Sequence, residues 1–333
     1  MTTQKVDSVT IVIAKEYQFH SHVLTTVTAS PDGDISLIKY STHGMTISVY
    51  PIQKQTKITL SSKVLGRDYL SMISKESIGK VQQTLSMYTD ISMDELLESV
   101  VCKVDPSTDI RIKNKEAAIS ALYALSAMQT KYKRSAKLYK SGGLPSSFGL
   151  KRDNNDPENV DYLSIYKKLA ELFNKSKKGN RDFLETLSVQ ERERLKEEGK
   201  DIVRFETKLS SRRMVRKHFC LPDKHVPRLK DILYSEVNVN GNMVENIYGQ
   251  ALRLETKSPD LKSITDLGYY HALYKNDFCV ERSFHYLQQA ASVTNKARTM
   301  KRLTSILAAT EKERHMGLKQ TYHEVLSLLR LES

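Results

Sequence analysis

The stretch DIVRFETKLS, residues 201–210, predicts a β-strand whose two sides differ in character. Its residues alternate between an apolar set and a charged set: Val203, Phe205, Thr207 and Leu209 on one side, and Arg204, Glu206 and Lys208 on the other. Side chains in a strand point alternately to opposite faces of the sheet. One face is therefore expected to be apolar and the other to carry charge.

Other segments on the N-terminal side of this strand also predict strands. They are rich in Val, Ile and Thr and are separated by turn-forming residues: 8–15, 33–40, 45–52, 56–62 and 99–112. Residues 114–134 and 188–200 have helical patterns, and residues 140–159, rich in Gly, Ser, Asn and Pro, predict a loop.

Helical patterns dominate after about residue 215, for example at 264–275 and 299–315. We therefore predict an α+β architecture with two parts. An antiparallel-sheet domain would cover residues 1–215, and a mainly helical domain would cover residues 216–333. The boundary is placed where the composition changes.

Composition and charge indicate the class of partner. The 333 residues include 52 Lys+Arg and 39 Asp+Glu, a net charge of +13. This surplus suits a polyanion, because each neutralised phosphate releases condensed counterions. The spacing of Cys102, Cys220 and Cys279 matches neither disulfide pairing nor a zinc site, which favours a reducing compartment. No apolar run has the length of a signal segment or membrane span, so we expect a cytoplasmic protein without a membrane partner.

A basic cluster follows the strand at 201–210 and consists of Arg212, Arg213, Arg216 and Lys217. It could contact phosphates at the mouth of a site, with Glu206 available for a metal or an arginine. The alternative is a solvated strand face with cross-strand ion pairs, which the pattern supports equally well.

Carboxylate and imidazole side chains offer two candidate metal sites. Asp105 lies inside a predicted strand, CKVDPSTDIRI (102–112), where a carboxylate is costly unless it is paired or binds a metal. It could instead turn the chain before Pro106. His20 and His22, in FHSHV (19–23), have a spacing that could share one metal ion, although such histidines are more often surface residues. His43 is a further candidate metal ligand that is likewise more often a surface residue.

The segment VDYLSIYKKLAELF, residues 160–173, predicts a helix that carries two tyrosines. Ile165, Leu169 and Leu172 repeat at helical spacing, and Tyr162 and Tyr166 would lie one turn apart on the same face. Tyr166 could be an amphipathic residue at the edge of a core. Alternatively, its hydroxyl could attack phosphorus, if nearby lysines and a metal favour its deprotonation and screen the phosphate.

Four of these stretches, taken in order, resemble the replication-initiation proteins of filamentous phages, the gene II/gene X family. The stretches are GMTISVYPIQKQTKITLSSKVLGRDYL (44–70), CKVDPSTDIRIKNKEAA (102–118), SSFGLKRDNNDPENVDYLSIYKKLAEL (146–172) and DIVRFETKLSSRRM (201–214). They run collinearly from about residue 40 to 215. The resemblance implies an antiparallel-sheet nuclease domain of a relaxed HUH (His-hydrophobe-His) type.

The resemblance also implies rolling-circle initiation. A protein of this kind binds a double-stranded origin and nicks one strand with a tyrosine, which leaves a 3′-hydroxyl for the host polymerase. It later cuts and rejoins the displaced single strand. The implied partners are origin duplex, single-stranded DNA, and a host helicase and polymerase in the cytoplasm of a bacterial host.

Residue roles carry over at the matching positions. Tyr166 takes the nucleophile role with Lys168 and Glu171 in support, and Tyr162 is an alternative nucleophile. Mg²⁺ or Mn²⁺ would be held by Asp105 and Glu206. The DNA-binding residues would be Arg204, Arg212, Arg213, Arg216 and Lys217.

Two other function classes remain open. A non-catalytic DNA- or RNA-binding protein would keep the basic surface and would not cleave in magnesium or manganese. A nucleocapsid-type viral protein would oligomerise along nucleic acid and bind with length-dependent cooperativity. The order Asp105, Tyr166, Glu206 favours the nicking enzyme.

Overall fold

One antiparallel sheet runs through the protein. The structure, a computed structural model, describes residues 4–127, 134–141, 144–152, 161–174, 177–248, 263–276, 280–290, 295–310 and 312–331. The strands are β1 (Val6–Ile13), β2 (Thr26–Ala29), β3 (Ile35–Ser41), β4 (Met45–Tyr50), β5 (Gln55–Ser61), β6 (Val100–Arg111), β7 (Arg134–Ser141), β8 (Leu144–Arg152), β9 (Asp161–Lys167) and β10 (Ile202–Leu209). Their order across the sheet is β2-β3-β4-β5-β1-β6-β10-β9-β8-β7. The strand predicted at 201–210 is thus β10, which lies inside the sheet between β6 and β9.

Helices occupy the connections and the C-terminal part. They are α1 (Ile78–Leu85), α2 (Met93–Glu98), α3 (Lys115–Ala127), α4 (Lys168–Leu172), α5 (Lys178–Glu185), α6 (Val189–Gly199), α7 (Arg212–His218), α8 (Leu229–Leu233), α9 (Val239–Tyr248), α10 (Ile264–Lys275), α11 (Val280–Ala290), α12 (Lys296–Thr310) and α13 (Lys312–Leu331). A 3-10 segment, Ser62–Ser71, follows β5. Sheet and helices together confirm the α+β prediction.

The apolar face of the sheet packs against helices in two clusters. Around β6, β10, β9 and β8, the buried residues include Ile110, Phe148, Leu163, Ile165 and Phe205, with side chains from α3, α9 and α13. Around β4, β5, β1 and β6, the buried residues include Ile47, Ile58, Val9 and Val104, with side chains from α1, α2, α7 and α8. Burial of this apolar surface is the main force that holds the helices on the sheet.

These clusters include residues from both sides of position 215. Phe205 shares a cluster with Met243 of α9 and Leu329 of α13, and Leu209 shares the other with Ile232 of α8. Helices α10 to α12 contribute to a separate small cluster that includes Phe284 and Leu303. The division into domains at 215 stays a prediction.

The opposite face of the sheet carries polar side chains and is covered in part. The 3-10 segment and helices α4, α5 and α6 form a small apolar cluster of Tyr69, Leu172, Phe183, Leu187 and Leu195. Helix α6 begins at a capping box, in which Ser188 and Glu191 bond each other's backbone N–H groups. We call this side of the sheet the polar face.

Two of the secondary-structure predictions are wrong. Residues 161–167 form strand β9 instead of a helix, because Leu163 and Ile165 are buried at the period of two that the apolar face requires. Helix α4 is only the end of that segment. Residues 140–159 were predicted as a loop, yet this region contains the end of β7 and all of β8, which pair with each other. Residues 142–143 and 153–160 lie outside the described part of the chain.

The sequence analysis also missed strand β2, whose four residues are all exposed. No helix among the described residues has both the length and the apolar character that crossing a membrane requires.

The packing of α13 on the sheet generates a stability prediction. Leu329 is fully buried, whereas Leu331 in the same helix is 71% exposed. Leu329→Ala should lower the free energy of unfolding by about 2–5 kcal/mol through lost burial and an unfilled cavity. Leu331→Ala should change it by about 0.5 kcal/mol or less. Urea denaturation followed by circular dichroism measures both variants, and equal stability of the two would show that α13 does not support the sheet.

Candidate functional site

Arg204 of β10 lies within the polar face and is completely buried. Its Nε donates to Asp109 Oδ1 at 2.6 Å and its Nη2 to Asp109 Oδ2 at 2.7 Å, so two parallel bonds join the groups. Its Nη1 donates to Asp7 Oδ1. Since Asp7 belongs to β1 and Asp109 to β6, a single guanidinium connects three adjacent strands.

The environment keeps these groups charged. Burial alone would raise the pKa of the Asp7 carboxyl, but the charges of Lys168 and Arg204 hold it well below its usual range. Burial would likewise lower the pKa of Arg204, whereas Asp109 and Asp7 raise it well above its usual range. Such a buried ion group stays stable only while every member has its partner.

Lys168 links the charged group to two aromatic rings. It is the first residue of α4 and is 1% exposed. Its Nζ lies 3.6 Å from Asp7 Oδ1 and 3.5 Å from Glu171 Oε2. The same ammonium is 4.6 Å from the ring centroid of Tyr69 and 5.5 Å from that of Tyr166, within cation–π range.

Glu171 is held from the other side. Its Oε1 accepts from Lys177 Nζ at 2.8 Å, and Asn180 Nδ2 donates to its backbone carbonyl at 2.6 Å. Burial would raise the pKa of Glu171, but Lys168 and Lys177 keep it below its usual value. The structure therefore brings Lys168 and Glu171 next to each other, with Lys168 against Tyr166.

Tyr166 lies opposite Arg204 in the pairing of β9 with β10, and its side chain is on the polar face. The residue is 8% exposed, and its hydroxyl donates to Glu206 Oε2 at 2.7 Å. Burial, Glu206 and Asp7 together raise the pKa of the phenol well above its usual range. At neutral pH the oxygen keeps its proton, and that proton points at a carboxylate.

Asp105 and Glu206 form a pair of interacting carboxylates. Asp105 accepts from Ser8 Oγ at 3.1 Å, and Glu206 Oε1 is 3.3 Å from Lys208 Nζ. Burial and the neighbouring charge of Glu206 raise the pKa of Asp105 to about 7. Two neighbouring carboxylates repel each other when both are ionised, so a cation bound between them would stabilise their charged forms.

The fit of these residues to a divalent metal can be judged from their number. Among the described residues, no group of three or more His, Cys, Asp or Glu side chains is arranged as a metal site. Mg²⁺ commonly binds through one or two carboxylates together with substrate phosphate and water. Asp105 and Glu206 could supply the two carboxylates of such a Mg²⁺ site.

The three histidines have partners of their own. His20 Nε2 is 3.1 Å from Asp90 Oδ1, and His22 Nε2 is 3.0 Å from the carbonyl of Met87. The His43 ring lies 5.7 Å from the ring of Phe183. The described contacts of these rings thus lie away from Asp105 and Glu206.

The predicted DNA contacts do not lie together. The Arg204 guanidinium is buried and bound by two carboxylates, so it supports the sheet and is not free to contact a phosphate. Helix α7 packs through Met214 and Val215 into the cluster on the apolar face. Its basic residues, Arg212, Arg213, Arg216 and Lys217, are therefore on the other side of the sheet from Tyr166.

Sequence analysis missed several residues of the polar face. Asp7 and Tyr69 belong to the buried charged group, and Lys63 joins it by donating to Asn180 Oδ1 at 2.8 Å. Three exposed lysines lie on the same face, each on a different strand: Lys57 on β5, Lys103 on β6 and Lys151 on β8. The signal for Asp7 was available: like Asp105, it is a carboxylate inside a β-branched run, VDSVTIVI (6–13).

Comparing arginine variants separates structural support from DNA contact. Arg204→Met should lower the free energy of unfolding by about 3–5 kcal/mol, because it leaves Asp109 without a bonded cation and Asp7 with Lys168 alone. Arg212→Met, on the exposed side of α7, should change it by about 0.5 kcal/mol or less. Urea denaturation at neutral pH measures both. Equal stabilities would contradict the supporting role of Arg204.

The raised pKa of Asp105 predicts how stability depends on pH. The folded pKa of about 7 lies above the usual value of 3.8, so folding favours the protonated form. The stabilisation is complete below about pH 4 and is lost as pH rises through 7. Relative to Asp105→Asn, the wild-type protein should lose stability between about pH 4 and 7. Denaturation midpoints in chelator measure this, with exposed Asp34→Asn as the control, and parallel profiles would contradict it.

Comparison of the chain with protein-family models, with curated proteins and with solved structures finds no match. The resemblance to the phage replication-initiation proteins therefore depends on the four sequence stretches. The function it implies is a proposal, supported by the positions of Tyr166, Glu206 and Asp105.

Proposed function

We propose that this chain nicks and rejoins one DNA strand to initiate rolling-circle replication, with Tyr166 as the nucleophile. One observation carries the proposal: the Tyr166 hydroxyl donates to Glu206, and Glu206 interacts with Asp105 on the same face of the sheet. A nucleophile in contact with a base, beside a second carboxylate, is the arrangement that phosphoryl transfer to tyrosine needs.

In the proposed reaction each bond that forms is matched by one that breaks, and each proton has a donor and an acceptor. The Tyr166 oxygen attacks phosphorus as its proton passes to Glu206 Oε2. The new O–P bond to tyrosine forms as the bond between phosphorus and the 3′-oxygen breaks. That oxygen takes a proton from solvent, which gives a free 3′-hydroxyl. Rejoining reverses the steps, since a 3′-hydroxyl attacks the phosphotyrosine and Tyr166 recovers its proton.

The surrounding residues have separate tasks. Lys168 holds the Tyr166 ring in place by cation–π contact, and Glu171 holds Lys168. Asp105 and Glu206 would hold Mg²⁺ or Mn²⁺, which when bound neutralises charge on the phosphate. Lys208, half exposed beside Glu206, and the exposed Lys103 would contact the DNA backbone.

The proposal includes its partners and setting. The DNA would be an origin duplex and the single strand displaced from it, in the cytoplasm of a bacterial host with its helicase and polymerase. The basic side of α7 would bind duplex DNA on the other side of the sheet. A net charge of +13 makes such binding strongly dependent on salt.

A non-catalytic nucleic-acid-binding protein is the second candidate. The observation that favours it is the burial of Tyr166, which raises the phenol pKa and stabilises the unreactive protonated form. Such a protein would use the same lysines and would leave the DNA uncut.

Tyrosine variants decide between the two candidates. On supercoiled DNA that carries the origin, with Mg²⁺ or Mn²⁺, Tyr166→Phe should lower the nicking rate at least about 1,000-fold, because the nucleophilic oxygen is gone. Tyr162→Phe, four residues earlier on the same face of β9, should nick at a rate near that of the wild type. Gel electrophoresis measures nicked circles, and mass spectrometry of the DNA-linked peptide locates the attached tyrosine.

Each other outcome has a definite meaning. Loss of nicking in Tyr162→Phe alone would make Tyr162 the nucleophile. Binding of the origin without nicking by any variant, with either metal, would establish the non-catalytic candidate.

A further inference from the structure

A cavity of about 200 Å³ opens at the end of the polar face remote from Asp105. Its apolar wall is made by Leu70 and Met72, at the end of the 3-10 segment, and by Ile202 of β10. Its charged lining is Lys5, Asp109, Arg111 and Glu198. The tyrosine site and the cavity are thus separated along β10 by Arg204.

The two cations and the two carboxylates that line the cavity differ in whether they have partners. Asp109 is neutralised by Arg204, with both carboxylate oxygens bonded, and Glu198 Oε1 accepts from Arg194 Nε at 2.6 Å. In the described part of the chain, neither Lys5 nor Arg111 is paired with a carboxylate at bonding distance. Two cations without bonded carboxylates, beside two carboxylates that already have partners, favour an anionic ligand.

The residue types of the lining favour a ligand that carries a ring as well as a negative charge. Met72 and Ile202 are almost fully buried behind the wall of the cavity, and Leu70 is half-buried, so a flat ring would meet an apolar wall whose accessible part is mainly Leu70. Asp109 and Glu198 are acceptors for the N–H groups of such a ring. An aromatic ring with N–H groups joined to a phosphate is the chemistry of a nucleotide.

We infer that this cavity binds one nucleotide of the DNA strand, with its phosphate on Lys5 and Arg111 and its base against Leu70, Met72 and Ile202. The inference rests on the proposed function and extends it, since it names a second contact with the strand. Ile202 and Glu206 are four residues apart on β10, so their Cα atoms are about 13 Å apart. One extended strand can reach both, and a nucleotide held in the cavity fixes which phosphate meets Tyr166.

The cavity and the tyrosine also share a structural support. Asp109 lines the cavity and bonds Arg204, whose neighbour across the strand pair is Tyr166. A base that fills the cavity is therefore held against the side chains that keep the Tyr166 site in shape. The cavity then acts as a specificity determinant for the position of the cut.

The test uses the full chain carrying Tyr166→Phe, in chelator, so that binding is measured without cleavage. A short single-stranded oligonucleotide of origin sequence is replaced, one position at a time, by an abasic residue. Fluorescence anisotropy should show one position at which base removal weakens binding about tenfold. In the double variant Lys5→Gln, Arg111→Gln, binding of the intact strand should fall about tenfold, and base removal at that position should have no further effect.

A matched control removes the same charges elsewhere. Arg298→Gln with Lys301→Gln alters one arginine and one lysine, both exposed on α12. This control should retain the full effect of the abasic residue. The inference would be overturned if no single abasic position weakened binding more than the others. It would also be overturned if the abasic residue weakened binding equally in the cavity variant and in the control.

Free deoxynucleoside monophosphates distinguish the source of the ligand. Saturable binding of a monophosphate that the cavity variant loses, together with unchanged binding of the oligonucleotide, would assign the cavity to a free nucleotide and overturn its role in holding the strand. The outcome is independent of the nicking assay: a chain that binds but never nicks can still show the abasic effect, and a nicking enzyme can lack it.

Discussion

The fold of the polar face depends on one buried guanidinium. Arg204 joins β10 to β6 through Asp109 and to β1 through Asp7, so the three strands are connected by side chains as well as by backbone hydrogen bonds. Removing a charge from water is costly, and the cost is offset only when the geometry of the partners is good. The arrangement therefore constrains the three strands to one register, and Tyr166, opposite Arg204, is positioned by that register.

The two faces of the sheet differ in role: one packs apolar side chains under helices, and the other holds the charged side chains of the candidate site. On one face, apolar side chains from β10, β9 and β6 are buried under helices, including α9 and α13 from the C-terminal part. On the other, the 3-10 segment and α4 to α6 cover only part of the polar residues. Charged groups such as Lys168 are buried beneath this partial cover, whereas Lys208 at its margin stays half exposed. A site at such a margin combines a rigid, low-dielectric interior with access from solvent.

Sequence patterns predicted much of the sheet and only part of the site. The strands at β1, β3, β4, β5, β6 and β10 were located because their alternation is local and strong. The segment 160–173 was misassigned because Tyr162 and Tyr166 share a face in either a helix or a strand, so periodicity at that spacing does not separate the two. The burial of Leu163 and Ile165 against neighbouring strands decided the matter, and this contact is not local. Arg204 was assigned to the charged face correctly, but its burial depends on Asp7, almost two hundred residues away.

The sequence by itself determined the α+β class, the two-faced strand at 201–210 and the positive charge, since each follows from residue type and short-range order. It also identified Tyr166, Lys168, Glu171, Asp105 and Glu206 as candidates. Only the tertiary structure decided that Tyr166 bonds Glu206, that the α7 cluster lies on the far side, and that a charged cavity adjoins Asp109. These are long-range contacts set by strand order and by which charges can be buried together, and neither property is written in any one stretch of the chain.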